Sequence, residues 1–375
     1  MKVAIAIDSF KGSLSTFEAG RAIEEGIKKV YSDAKVKITP MADGGEGTVD
    51  AIVSAAGGEM QKVKVHNPLG KIIESSYGIV DKTAIIEMSA ASGITLISES
   101  ERNPLNTTTY GVGELIVDAI KKGCRKFIVG IGGSATNDGG IGMLSALGFE
   151  FLDKDGKQVS CGAKGLKEIT SIKKDNVLTE LSECSFLVAC DVKNPLCGEN
   201  GCSKIYGPQK GATPEMIKNM DLWLENFAEL TKGINPESDK DFPGAGAAGG
   251  LGFAFLSYMS GELKSGVELV IKETNLEESV KDADIVITGE GRLDGQSYMG
   301  KAPVGVAMLA KKYDKPVIAF AGGVTEDAVK CNDYGIDAFF PILRTPCSLD
   351  EAMDNAYINL KNTAEQVFRM IKIIM

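Results

Sequence analysis

Glu290, Arg292, Asp294 and Lys301 crowd one short stretch that also carries Gly289, Gly291, Gly295 and Gly300. Two carboxylates, a guanidinium and an ammonium in a glycine-rich setting suit chemistry on an anion, because unneeded charges rarely gather at such a corner. The β-branched run 285–288 before them reads as a buried parallel strand that breaks at Gly289. Pro303, a residue favoured in the first helical turn, marks a helix start after them. Strand, charged glycine loop and helix N-terminus make the usual anion-binding corner of an α/β protein. Residues 295–301 also match G-x-x-x-x-G-K. Ala302 stands where a P-loop needs Ser or Thr for magnesium, and the strand ends several residues too early, so the match is not a true Walker motif.

Other loops carry similar potential. Residues 132–140 join Gly132, Gly133, Ser134, Thr136, Asp138 and two further glycines after an apolar run, so backbone N–H groups and hydroxyls can approach an anion. Asp8 and Lys11 follow the first apolar run, and Asp43 and Glu46 follow the second. Asp191 and Lys193 follow the run 185–189, where Pro195 stops the strand; an acid at that place suits a site better than a core. His66 is the only histidine and lies at an apparent turn, which removes Ser-His-Asp, Cys-His and polyhistidine metal chemistry unless it takes part itself. Acid–base work therefore falls to carboxylates or lysines. The eight cysteines form no C-x-x-C pair and read as reduced thiols. A G-x-G-x-x-G string at 244–249 lacks a preceding strand, which leaves a flexible helix start or close helix packing in place of a dinucleotide fingerprint.

These loops need elements to hold them. Residues 2–7 read as a strand, Ser15 and Glu18 have capping-box spacing, and Ala19, Ile23, Ile27 and Val30 follow a helical period. A strand at 36–39, a glycine loop and a helix to 55 complete a βαβα opening, the mark of a doubly wound parallel sheet whose ligands sit beyond the strands' carboxyl ends. From 61 the pattern changes to short runs at 62–65, 71–80 and 84–88, which suggest antiparallel pairing. A helix capped within 107–109, a strand at 126–131, a hairpin around 155–156 and a helix opened by Thr213 and Pro214 follow. The parallel rhythm resumes near 283, with strands at 316–321 and 338–343 and one closing helix at 349–374. The expected architecture is a flavodoxin/Rossmann-like α/β domain built from 1–60 plus 283–375, with a second α/β domain at 61–282 inserted and the active site in the cleft between them.

With 43% apolar and 25% charged residues the composition is that of an ordinary globular protein, long enough for two or three domains. A net charge of −10 argues against nucleic acid or an anionic membrane as the main partner. The first apolar run is too short for a secretory core and no stretch of eighteen apolar residues occurs, so a cytoplasmic protein is expected.

Taken together and in order, residues 8–15, 42–48, 130–140, 190–196, 206–212, 243–252 and 288–294 resemble the bacterial glycerate kinase family of the two-domain type over essentially the whole chain. The resemblance implies ATP- and magnesium-dependent phosphorylation of D-glycerate, at the 2-hydroxyl ahead of the 3-hydroxyl. It leaves the oligomeric state open. The residues agree with that chemistry, since phosphoryl transfer needs cations, backbone donors and carboxylates but no histidine. On this reading Asp191 orients the attacking hydroxyl and Lys11 and Lys301 hold phosphates. Arg292 forks onto the glycerate carboxylate, with Ser134, Asp138 and Lys193 as further substrate contacts. Gly132, Gly133, Gly289 and Gly291 offer backbone to the nucleotide, and Asp43 and Glu290 hold Mg2+. A hydroxy-acid dehydrogenase using the 244–249 motif and a non-catalytic acid-binding protein are the competing classes.

Overall fold

Alternation decides where the first strand must lie. Val3 and Ile5 point to one side and Ala4 to the other, and all three are buried, so the strand needs cover on both faces. The computed structural model describes residues 1–374 and sets this strand inside a parallel sheet. In chain order the strands are β1 (Lys2–Ile5), β2 (Lys35–Ile38), β3 (Glu59–His66), β4 (Ile72–Val80), β5 (Thr83–Glu87), β6 (Lys126–Gly130) and β7 (Glu150–Leu152). They continue as β8 (Ser171–Lys173), β9 (Ser185–Ala189), β10 (Glu262–Lys264), β11 (Ile285–Leu293), β12 (Val317–Val324) and β13 (Ala338–Pro341). The chain falls into two compact units. One gathers Met1–Asp43, Asp50–Ala56 and the residues from Val267 onward, the other Gly44–Val49 and Gly57–Gly266.

The first unit takes the chain back at 267, ahead of the expected 283, because two short helices precede its third strand. Leu276 and Val280 of the helix Leu276–Asp282 are buried, and Val267 lies so close to Gly305 that a Cβ on that glycine would come within 2.3 Å of it. The sheet runs β13-β12-β11-β1-β2 with every pairing parallel. Within the unit this is the flavodoxin order 2-1-3-4-5, and the winding reverses between β1 and β11. The helix Thr16–Lys28 opens on the expected Ser15–Glu18 capping box. With the helix Ala356–Ile374 it covers the face that carries Val3, Ile5, Ile287 and Phe320.

Two expectations here are corrected. The third strand does not break at Gly289 but runs on to Leu293, paired with β12 as far as Val324. Gly289 has φ +153°, and a Cβ there would fall 1.9 Å from the Phe320 carbonyl oxygen. The glycine therefore lets two strands approach where a side chain would push them apart. The closing helix is also two helices, Leu349–Asp354 and Ala356–Ile374. The first has its own capping box from Ser348 and Glu351, and the Asn355 amide donates back to the Glu351 carbonyl at 2.8 Å, which ends it.

The second unit holds a six-stranded sheet, β10-β9-β6-β5-β4-β3, antiparallel across β3, β4 and β5 and parallel from β5 onward. Its core is rich in aromatic contacts, with Phe127 and Phe186 stacked at 4.7 Å. The hairpin expected around 155–156 closes only a single bridge, Leu152 to Gln158, and β7 pairs with β8 instead. Asp153 accepts the backbone N–H groups of Asp155 and Lys157, so the turn is tight but its arms are short. No helix among the described residues is long and apolar enough to cross a membrane.

Candidate active site

The switch point between β1 and β11 opens a cleft of about 470 Å³ in the first unit. Much of its lining is charged: Asp8 and Lys11 come from the loop after β1, Asp43 from the segment after β2, and Glu290 and Arg292 from the end of β11. Asp294 and Lys301 complete it, Lys301 as the N-cap of the helix Ala302–Lys311. Gly291, Gly322 and Gly323 line it without side chains. Phe10, Ile342, Leu343, Leu349 and Met353 add apolar surface to the same lining.

The carboxylates are not equivalent. Asp8 is 7% exposed, and burial first, then the negative charge of Asp43 and Glu290, pushes its carboxyl up to about 7. A hydrogen bond from the Ser9 N–H at 2.6 Å and the charge of Lys11 work in the opposite direction. Glu290 is equally buried and is raised by burial, against a hydrogen bond from the Ser297 hydroxyl and the ammonium of Lys301, 3.9 Å away. Arg292 stands mostly in solvent, 3.6 Å from Asp294, so its guanidinium remains available to an incoming anion.

A magnesium ion fits this donor set. Mutual repulsion among Asp8, Asp43 and Glu290 is the field that a divalent cation relieves. Among the described residues no cluster of three acids, histidines or cysteines could enclose a metal. Mg2+ is commonly held by one or two carboxylates and completed by phosphate and water oxygens.

The sequence candidates therefore separate. Lys11, Asp43, Glu290, Gly291, Arg292 and Lys301 line the cleft of the first unit. Gly289 does not; it is a packing residue of β11, which corrects its assignment to the nucleotide. In the second unit Gly132 and Gly133 are exposed beyond β6, and Ser134 is nearly buried beside them. Asp191 and Lys193, beyond β9, are exposed. The Gly266 N–H donates to the Asp191 Oδ1 at 3.1 Å. Asp138, by contrast, is fully buried, and its carboxylate accepts the Thr109 N–H at 2.8 Å, the Thr109 hydroxyl at 2.9 Å and the Gly140 N–H at 3.1 Å. It braces the 132–140 loop from inside. The same bond takes the Thr109 hydroxyl away from capping the helix Tyr110–Lys121.

Lys210 joins Asp138 in holding that loop: wholly buried, its ammonium donates to the Thr136 carbonyl at 2.7 Å, and burial lowers it to about 8. Gly249, at φ +70°, lies where a Cβ would come within 2.1 Å of the Thr136 carbonyl oxygen, so the G-x-G-x-x-G string is close packing and not a dinucleotide loop. His66 is a clasp, its Nδ1 2.8 Å from Glu114 and its ring against Tyr110. The residue passed over in assigning roles is Asp8. Its signal was the one used for Asp191, an acid just past a buried apolar strand.

A model of the glycerate kinase family matches residues 3–372. The chain is 50% identical to a glycerate kinase of Haemophilus influenzae, over 99% of both chains. It is 47% identical to the glycerate 2-kinase of Escherichia coli, over 100% of this chain and 99% of that one. Among solved structures it resembles a putative glycerate kinase 2 from Salmonella typhimurium, with a TM-score of 0.90, 45% identity and coverage of 100% and 98%.

Proposed function

Because the chain belongs to the glycerate kinase family, we propose that it transfers the γ-phosphoryl group of ATP to the 2-hydroxyl of D-glycerate, giving 2-phosphoglycerate and ADP. The observation that carries this reading is the cleft at the β1/β11 switch point, where three cations and four carboxylates share the lining of a space large enough for a nucleotide. Lys11 and Lys301 hold the phosphates, and the fork of Arg292 takes the glycerate carboxylate. Asp43 and Glu290 are the residues that would hold magnesium, which when bound neutralises charge building on the transferring phosphoryl group. Exposed backbone N–H groups at Gly132 and Gly133 donate hydrogen bonds to the nucleotide's phosphates, and Ser134 and Lys193 are further glycerate contacts.

In the transfer, a bond forms between the glycerate oxygen and the γ-phosphorus as the bond to the β-phosphate oxygen breaks. The hydroxyl proton passes to a carboxylate. Asp191 is assigned as that carboxylate. Asp8 is the second reading, favoured by its place among Lys11, Asp43 and Glu290 and by a carboxyl held near neutrality, where a base works best. A cytoplasmic setting agrees with all eight cysteines being free thiols.

The test is ADP release with D-glycerate and Mg-ATP, with the product resolved by 31P NMR. Formation of 2-phosphoglycerate is the expected result. A 3-phosphoglycerate signal would overturn the regiochemistry, and ATP-independent binding of glycerate without turnover would overturn the kinase.

A further inference from the structure

Part of the cleft lining has no use for glycerate. Its charged residues can engage a three-carbon hydroxy acid and a phosphate chain, yet the lining also includes Phe10, Ile342, Leu343, Leu349, Met353 and Ala356. D-glycerate has no apolar group to place there. Leu349 is 74% exposed and Leu343 43% exposed, although both line a concave surface. Apolar side chains left wet on the wall of a cleft are stabilised when a flat apolar ligand covers them.

This wall is also tied to the phosphate-binding residues. The Ser13 hydroxyl, two residues from Lys11, donates to the Met353 carbonyl at 2.7 Å, and the sulfur of Met353 lies 3.7 Å from where a Cβ on Gly12 would sit. The helix Leu349–Asp354 is thereby fastened to the loop that presents Lys11. A ligand that meets both the cations and the 342–356 side chains is anionic in one part and apolar in another.

We propose that the wall formed by residues 342–356 is the base-binding subsite of the nucleotide, which seats the purine ring of a nucleoside triphosphate against Leu349, Leu343 and Met353. This deepens the kinase reading and rests on it. None of the six walling side chains carries a strong hydrogen-bonding group, the Met353 thioether being only a weak acceptor, so the ring is recognised chiefly by shape and burial. ATP and GTP should consequently serve within about tenfold of one another, because a wall of apolar side chains discriminates such substituents weakly.

Leu349→Asp is the test. The residue opens a helix, where an added carboxylate favours the helix dipole, so the variant should fold. Calorimetry compares ATP with inorganic tripolyphosphate, both with magnesium, on the wild-type protein and the variant. In the wild type ATP should bind at least roughly tenfold tighter than tripolyphosphate, and the variant should erase most of that difference while leaving tripolyphosphate unchanged. In turnover, KM for ATP should rise roughly tenfold with KM for glycerate within about twofold. Equal binding of ATP and tripolyphosphate to the wild type, or an unchanged preference in the variant, would overturn the subsite. Failure of the kinase reading looks different: the wild type would not phosphorylate glycerate at all, while the binding comparison still decides whether the wall takes a base. Leu343→Asp provides an independent second variant with the same expected outcome.

Discussion

The hydroxyl of Ser13 donates a 2.7 Å hydrogen bond to the main-chain carbonyl of Met353, joining a loop near the start of the chain to a short helix near its end. The bond couples the cation Lys11 to the apolar wall of the same cleft. Ser13→Ala should remove about 1 kcal/mol of net stabilisation. Thermal unfolding should then shift by only a few degrees, whereas KM for ATP should rise roughly threefold or more, because the two parts of the ligand site lose their common register. An unchanged KM for ATP would show that the clasp has no bearing on the nucleotide.

Asp8 should impose a pH dependence on stability as well as on rate. Its folded carboxyl, near 7, lies above the ordinary value of 3.8, so the native state holds the proton more tightly than the unfolded chain. Stability from this group is therefore complete below about pH 4 and is lost as pH rises through about 7. Asp8→Asn should raise the melting temperature at pH 8 relative to wild type, by an amount equivalent to about 1–4 kcal/mol, and the gain should shrink toward pH 5. A gain that is the same at both pH values would contradict the burial argument. If Asp8 is also the base, the acid limb of the kcat/KM profile should vanish in the same variant.

Asp191→Asn separates the two candidate bases. The Gly266 N–H can still donate to the amide oxygen, so the fold should persist while the charge is lost. A fall in kcat on the order of 10²–10⁴ with binding of Mg-ATP intact would support Asp191 as the carboxylate that orients the hydroxyl. Recovery at high magnesium would make it a metal ligand instead. Turnover near wild type would transfer the role to Asp8.

Asp138→Ala should act on stability and not on substrate. Three donors converge on this buried carboxylate, and removing it leaves the Thr109 and Gly140 N–H groups unsatisfied, at a cost of about 3 kcal/mol or more. Denaturant unfolding should record that loss, while the folded fraction keeps its KM for glycerate within about threefold. A large rise in that KM with little change in stability would restore Asp138 as a substrate contact.

Much of the architecture was written in local pattern. Alternating and continuous apolar runs marked β1, β6, β9 and β11, because strand burial repeats every second residue or fills both faces. Ser15 and Glu18 announced a helix start that needs no distant partner. The scarcity of histidine narrowed the chemistry before any fold was known, and the ordered loops pointed to one family.

The sequence by itself could not rank the acids, because a carboxylate's burial and electric field come from neighbours that lie far off along the chain. Asp8, Asp138 and Asp191 all stand in or near loops after apolar strands. Tertiary packing made Asp8 a buried group beside Asp43 and Glu290, turned Asp138 into the inner brace of a loop, and left Asp191 at the surface. Gly289 read as a break for the same reason: only the approach of Phe320 on β12 shows that it keeps a strand going. The apolar wall of the cleft was equally silent, since Leu349 and Lys11 come to line one cleft only when the closing helix folds back onto β1.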